Sequence, residues 1–189
     1  MPPWIYGFLL AHLYLGQATW VLLALLAAAA GFTDLRWRRI PNWLTVPGWL
    51  LGMAMHSIDA GWRGTRESLL GSGLGLLVLL PFVLVRSLGA GDWKLVGAIG
   101  AFLGPERLMT VLFITILIAG IMAVILVLWK RQLGQTLTNI GRMLASLASL
   151  HLPGRELSLD NPKALKIPFG FAASIAVILY AAGKIWQAG

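Results

Sequence analysis

The stretch LMTVLFITILIAGIMAVILVLW, Leu108–Trp129, contains no charged side chain. A helix of about 20 apolar residues is long enough to cross the hydrocarbon core of a bilayer, because each residue adds about 1.5 Å along the axis. This stretch can therefore span a membrane. It is also too apolar for the surface of a soluble domain, so it decides the fold class.

The same composition extends through the whole chain. Of its 189 residues, 58% are hydrophobic and 12% are charged, and further uncharged stretches cover residues 2–33, 43–57, 68–85 and 167–183. We predict an all-α, polytopic integral membrane protein with a single domain, residues 1–189. About six transmembrane helices are expected, at residues 10–33, 42–58, 68–86, 91–104, 107–129 and 167–187.

The basic residues predict the orientation of these helices. The chain opens with Met1, Pro2, Pro3 and Trp4, without the basic segment of a removable leader, so the first helix is expected to be permanent. If the chain starts outside, residues 34–42, 86–94 and 130–166 face the cytoplasm. These segments hold eleven basic residues, against four outside, as is typical of cytoplasmic loops. The eleven are Arg36, Arg38, Arg39, Arg86, Lys94, Lys130, Arg131, Arg142, Arg155, Lys163 and Lys166; the four are Arg63, Arg66, Arg107 and Lys184.

Residues 132–166 follow a different pattern. Apolar side chains recur there at helical spacing, with polar residues between them, which predicts an amphipathic helix on the cytoplasmic membrane surface. The apolar positions are Leu133, Leu137, Ile140, Leu144 and Leu147. The stretch PGRELSLDNPK that follows is polar and rich in turn residues, so we expect a loop.

Composition argues against metal and nucleic-acid sites. Cysteine is absent and the three histidines, His12, His56 and His151, are far apart in the sequence. We therefore expect no metal and no other cofactor. The nine tryptophans lie mostly near predicted helix ends, as in an interfacial belt, and anionic membrane lipid accounts for the basic residues. Nucleic-acid binding is not needed to explain either group.

Two acidic residues have no ordinary explanation. Five of the seven fall in predicted loops, whereas Asp34 ends the first predicted helix and Asp92 opens the fourth. The predicted topology places both at the cytoplasmic ends of their helices. A carboxylate near hydrocarbon costs a few kcal/mol, so it persists where it is paired, hydrated or useful.

A pair of carboxyl groups at one depth suits peptide hydrolysis. One ionised group takes a proton from water, and one protonated group polarises the scissile carbonyl. Two close carboxyl groups supply one ionised and one protonated member, because ionisation of the first makes ionisation of the second unfavourable. Such a pair titrates as a unit. Gly89 and Gly91 remove side chains beside Asp92, so another chain could approach it closely.

Three motifs carry a family resemblance. Gly89-Ala90-Gly91-Asp92 resembles the GxGD signature of membrane aspartyl proteases, and GAGDWKLVGAIGAFLG resembles the type IV prepilin peptidases in particular. Asp34 in DLRWRRIPNWLT is similar to that family's first aspartate motif. KIPFGFA, residues 166–172, resembles its last helix. The resemblance covers nearly the whole chain, in the family's order.

The resemblance implies a short-form prepilin peptidase of the bacterial inner membrane, of the Flp or tight-adherence pilus type. Asp34 and Asp92 would be the catalytic pair, at the cytoplasmic face. The implied substrate and partner is a prepilin or pseudopilin precursor, cut between a short basic leader and a hydrophobic helix. The implied substrate-binding residues are Gly89, Gly91, Lys94, Lys166, Pro168 and Gly170. Long family members add a cysteine-containing domain and methylate the new amino terminus; this sequence contains no cysteine, so we expect the short form, without methyl transfer.

Other interpretations stay open at this point. An acid pair could instead bind and release ions in a small transporter, or the chain could be a non-catalytic subunit of a pilus or secretion assembly. Lys94 and Lys166 could simply anchor helix ends at the membrane interface. Ser72 with His56 is a weak serine-protease candidate, because Gly71 and Gly75 around that serine have the spacing of helix packing.

Overall fold

The computed structural model describes residues 3–85, 87–131, 134, 138, 141 and 168–188, with side chains from residue 15 to residue 186 within those ranges. Four long helices form the described part: α1, Pro3–Trp37; α2, Asn42–Leu84; α3, Ala90–Trp129; and α4, Phe169–Ala188. The all-α prediction is confirmed. The predicted surface helix and loop between residues 132 and 166 lie almost wholly outside the described residues.

The outer surface of the bundle is apolar. Each of the four helices contains a segment long and apolar enough to cross a membrane. Large hydrophobic side chains such as Leu77, Phe113 and Trp129 point outward, with Trp129 83% exposed. A water-soluble protein would bury such a surface, whereas lipid solvates it. The chain is therefore a membrane protein, while the predicted number of about six spans stays a prediction.

The helix α2 contains a reversal of the chain. Ala60 and Gly61 leave helical geometry, and Gly61 has a φ of 57°, a conformation that glycine adopts without the steric cost of a side chain. Across this break, Trp49 Nε1 donates a hydrogen bond to Ser72 Oγ at 2.7 Å. Those residues would be about 35 Å apart in a straight helix. The segments 42–59 and 62–84 therefore run antiparallel, side by side.

The helix α3 reverses in the same way at Gly104, whose φ is 72° and which precedes Pro105. Val96 Cγ1 and Leu108 Cδ2 lie 2.9 and 3.0 Å from the position that a Cβ on Gly75 would occupy. Both sides of the break thus pack against one point of α2, although a straight helix would separate them by about 18 Å. Segments 90–103 and 105–129 form the second hairpin.

The first segment of α3 lies at the centre of the bundle. Every residue from Leu95 to Gly104 is buried. Close packing there depends on glycines, because a Cβ on Gly71 would be only 2.2 Å from the carbonyl oxygen of Gly100. The expectation that Gly71 and Gly75 serve helix packing is confirmed. A helix that is apolar on all sides is suited to such a central position.

The helices α1 and α4 pack antiparallel to each other. A Cβ on Gly31 would be 2.8 Å from Ser174 Cβ. Farther from the α4 start, the rings of Trp20 and Tyr180 lie 5.9 Å apart. The end of α1 is consequently placed beside the beginning of α4.

The glycine contact in α2 yields a stability prediction. Gly71→Ala should lower the thermal stability of the detergent-solubilised protein, since its methyl group overlaps the Gly100 carbonyl and overpacking costs roughly 1–3 kcal/mol. Gly73→Ala is the matched control, because it adds the same methyl group two residues away, where no atom lies within 4 Å. Its stability should stay equal or rise. Equal behaviour of the two variants would contradict the assigned packing.

Candidate active site

Three helix ends meet at one end of the bundle. Asp34 lies in the last turn of α1, and Asp92 lies in the first turn of α3, after Gly89 as the N-cap residue. The helix α4 starts at Phe169, directly after Pro168. Since the starts of α3 and α4 both carry backbone N–H groups without helical partners, two positively polarised helix ends converge on the acids.

The carboxylate of Asp34 is held by the start of α4. Its Oδ2 accepts a hydrogen bond from the backbone N–H of Phe171 at 3.0 Å. Asp34 is only 6% exposed, although both its neighbours on the C-terminal side, Leu35 and Arg36, are exposed. A backbone N–H at a helix N-terminus stabilises a buried carboxylate better than the same group elsewhere, because the helix dipole adds to the hydrogen bond.

The carboxylate of Asp92 is held less completely. Its Oδ1 is buried and makes no hydrogen bond within the described part of the chain. The backbone N–H groups of Gly89 and Gly170 face this carboxylate, but neither gives Oδ1 a bond of good geometry. A buried acceptor without a partner is costly, so this oxygen is suited to receive a hydrogen bond from a water molecule or a substrate.

Gly170 lies between the two carboxylates. A Cβ at this position would be 3.0 Å from Asp34 Oδ2 and 3.1 Å from Asp92 Oδ1. The two oxygens are therefore no farther apart than these distances together, although 58 positions separate the residues in sequence. The absence of a side chain at residue 170 leaves a small space bounded by both acids.

Residues 38–41 join α1 to α2, and we call them the strap; its Ile40 lies against this space. Ile40 is 7% exposed, and its Cδ1 lies 2.6 Å from the position of a Gly170 Cβ. A Cβ on Gly91 would meet the N, O and Cβ atoms of Ile40 at 3.2 to 3.3 Å. The sequence predicted that Gly91 leaves room for another chain; in this structure the main chain of Ile40 lies in that room.

Residues 20–124, which contain both aspartates, match the type IV leader peptidase family. The chain belongs to this family. It is also 34% identical over 121 residues to "Prepilin leader peptidase/N-methyltransferase" of Aeromonas hydrophila, an alignment covering 60% of this chain and 40% of that protein. For the protein of the same description from Myxococcus xanthus, identity is 32% over 126 residues, covering 63% and 37%. No solved structure matches the chain significantly.

The alignments cover only part of these relatives. This type IV leader peptidase family member spans about two fifths of the length of the curated proteins it matches. The matched family region ends at residue 124, so it includes the strap, Gly89, Gly91 and Lys94 but not Gly170.

The other predicted site residues lie at different distances from the acids. Lys94 donates a hydrogen bond from Nζ to Asn42 Oδ1 at 3.0 Å, which joins the start of α3 to the start of α2. The carbonyl oxygen of Pro168 accepts from the Ala172 N–H at 3.2 Å and begins α4. Lys166 lies outside the described residues. Ser72 Oγ is engaged by Trp49, which fits its role in packing.

Sequence reasoning missed two contributors to the site. The N–H of Phe171 is a main-chain group, so no residue type could have revealed it. The sequence did contain a signal for Ile40, because this residue is apolar and lies directly after the basic residue Arg39 in a segment predicted to join two helices. Within the described ranges, no group of three or more His, Cys, Asp or Glu side chains could hold a metal ion.

The helix contact of Asp34 predicts a difference between two substitutions. Asp34→Asn keeps an oxygen that can accept from the Phe171 N–H, whereas Asp34→Ala leaves that donor without a partner. The alanine variant should unfold at a lower temperature, by an amount corresponding to about 1 kcal/mol, as for other lost N-terminal caps. Thermal unfolding in detergent measures this. If alanine were as stable as asparagine, the helix contact would have no energetic role.

Proposed function

We propose that this protein is a membrane aspartyl endopeptidase that uses Asp34 and Asp92 as its catalytic pair. The observation that carries the proposal is the space at Gly170, where a Cβ would lie 3.0 Å from an Asp34 oxygen and 3.1 Å from an Asp92 oxygen. Family membership supports it, because the matched region contains both acids. The proposed chemistry uses neither a metal nor another cofactor.

The proposed mechanism divides general base and general acid roles between the two carboxyl groups. A water molecule between them gives a proton to the ionised carboxylate and attacks the scissile carbonyl carbon. The protonated partner donates a hydrogen bond to the carbonyl oxygen as negative charge develops there. The starts of α3 and α4 contribute a fixed positive potential at the pair, which stabilises the negative charge that the two carboxyl groups share.

The proposed substrate is the precursor of a type IV pilin-like protein, cut where a short basic leader meets an apolar helix. The two relatives described above are named as prepilin leader peptidases, and this supports the substrate class. Both aspartates lie within one turn of a helix end. We propose that this end lies at the membrane surface, where a polar leader would give way to an apolar helix. N-methyltransferase activity is not part of the proposal.

The proposed arrangement has about six membrane spans in a bacterial inner membrane, with the acids at the cytoplasmic face, within a single domain. The reversals at Gly61 and Gly104 support it, since they divide α2 and α3 into antiparallel segments. Exposed Arg36 and Arg39 lie at the same end as the acids, as the excess of basic residues in cytoplasmic loops predicts.

The proposed substrate-binding residues surround the acid pair. Gly91 and Gly170 give the substrate main chain space to approach, and Gly89 permits the close turn of the Asp92 side chain. Pro168 fixes the start of α4. Lys94 and Lys166 are proposed as basic contacts at the rim, where Lys94 also ties α3 to Asn42.

Substitution of either acid tests the proposed function. Asp34→Asn and Asp92→Asn should each lose cleavage of a co-expressed precursor, by about 10²-fold or more, because each removes a proton-transfer group. Gel mobility of the precursor measures the product, and unchanged thermal unfolding shows that the variants fold. Cleavage that persists in both variants would contradict an aspartyl mechanism. Ion flux without any cleavage by the unaltered protein would favour a transporter.

A methyl group at position 170 should also stop cleavage. Gly170→Ala places its Cβ between the carboxylate oxygens and against Ile40, so it takes the space proposed for water. Gly183→Ala is the matched control, because it lies on the same helix with no atom within 4 Å of the added methyl group. The control should cleave the precursor at the normal rate. Full activity of Gly170→Ala would contradict the assigned place of the water molecule.

A further inference from the structure

The strap occupies the space beside the acid pair that a substrate would have to enter. Ile40 Cδ1 is closer to the Gly170 Cβ position, at 2.6 Å, than either carboxylate oxygen, at 3.0 and 3.1 Å. A peptide carbonyl that reached both acids would therefore meet the side chain of Ile40. The acid pair, as it stands in this structure, is covered by the protein's own chain.

The contact at Gly91 involves main-chain atoms of the strap. Both the N and the O of Ile40 lie within 3.3 Å of the Gly91 Cβ position. A polypeptide main chain in extended form presents the same kind of groups, an N–H and a C=O separated by a side chain. The surface beside Gly91 is thus already shaped to receive a segment of main chain with one apolar side chain pointing towards Gly170.

The two ends of the strap differ from the helices that they join. Arg38 has a φ of 54°, a left-handed conformation that residues with a Cβ rarely adopt. Its N–H donates to the Asp34 carbonyl oxygen at 2.8 Å, so the strap begins at the end of the helical turn that carries Asp34. At the other end, Pro41 has an extended conformation before α2. Opening the strap would release the backbone strain at Arg38, whereas closing it buries Ile40.

We propose, on the basis of the proposed peptidase function, that the strap occupies the substrate-binding site in place of the substrate. In the closed state the main chain of Ile40 fills the extended-peptide subsite beside Gly91 and its side chain covers the acids. The substrate takes the same place, with an apolar side chain where Ile40 lies, after residues 38–41 swing away. The strap thereby keeps water and other peptides from the acid pair until a fitting chain displaces it.

A reversible cross-link tests whether the strap must move. The chain contains no cysteine, so Ile40→Cys with Gly91→Cys introduces the only thiols. The Cβ positions are 3.3 Å apart, close to the 3.5–4.5 Å of a disulfide. Oxidation should abolish precursor cleavage and reduction should restore it. Ile40→Cys alone is the control for the oxidant, and its rate of precursor cleavage should change with neither oxidation nor reduction. Equal cleavage by the oxidised and reduced forms would overturn the proposal.

A labelling experiment covers the case in which substitution of Gly91 itself stops cleavage. Ile40→Cys is combined with Asp92→Asn, so that a bound precursor is not consumed, and the rate of reaction with a soluble maleimide is measured. Added precursor should raise that rate, because the strap leaves its buried place. A rate that stays equal or falls would overturn the proposal, since the strap would then be a fixed wall over the bound substrate.

These outcomes distinguish failure of the strap proposal from failure of the proposed peptidase function. If the unaltered protein cleaves the precursor but the oxidised variant does so equally well, the peptidase stands and the strap proposal fails. If the unaltered protein does not cleave the precursor under any condition, the proposed function fails first, and the strap proposal fails with it.

Discussion

The hydrogen bond from the start of α4 to the carboxylate of Asp34 is the contact on which the geometry of the site depends. It joins the last turn of α1 to a segment 137 positions later, and it brings Gly170 between the acids. The bond forms only because α1 and α4 approach closely, which the small residues Gly31 and Ser174 allow. The site is thus a consequence of one helix end meeting another.

The second acid reaches the same place through the two hairpins. Turns at Gly61 and Gly104 fold α2 and α3 back on themselves, and the first segment of α3 becomes the centre of the bundle. Asp92, in its first turn, is held by a segment buried from Leu95 onward. Glycine contacts such as Gly71 with Gly100 fix the depth of this segment, because they permit only one close register. The pair is therefore positioned by rigid helices, while the strap beside it has no helical structure.

The sequence predicted the helical class and placed both acids at helix ends, because these features follow from the pattern of apolar and charged residues. It predicted wide gaps between helices, such as residues 59–67, where the structure turns within two residues and helix continues on both sides. Charged residues there, including Asp59, Arg63 and Glu67, suggested a loop, yet helices readily extend into the polar layer beyond the hydrocarbon core. The Phe171 N–H and the fold of the strap could not be predicted, since they arise from contacts between distant parts of the main chain.

The position of the acids favours the proposed hydrolase over a carrier. A carrier binds its ion near the middle of the bilayer and opens alternately to both sides, so its acids need a polar path in each direction. Here the acids lie within one turn of the ends of α1 and α3. Beyond them the central segment is closely packed and apolar, with Leu95, Ile99 and Phe102 each no more than 2% exposed. This packing favours access to the pair from the end of the bundle at which the acids lie. Hydrolysis requires no more than that, because substrate enters and products leave by the same face, and a single movable strap is enough to control it.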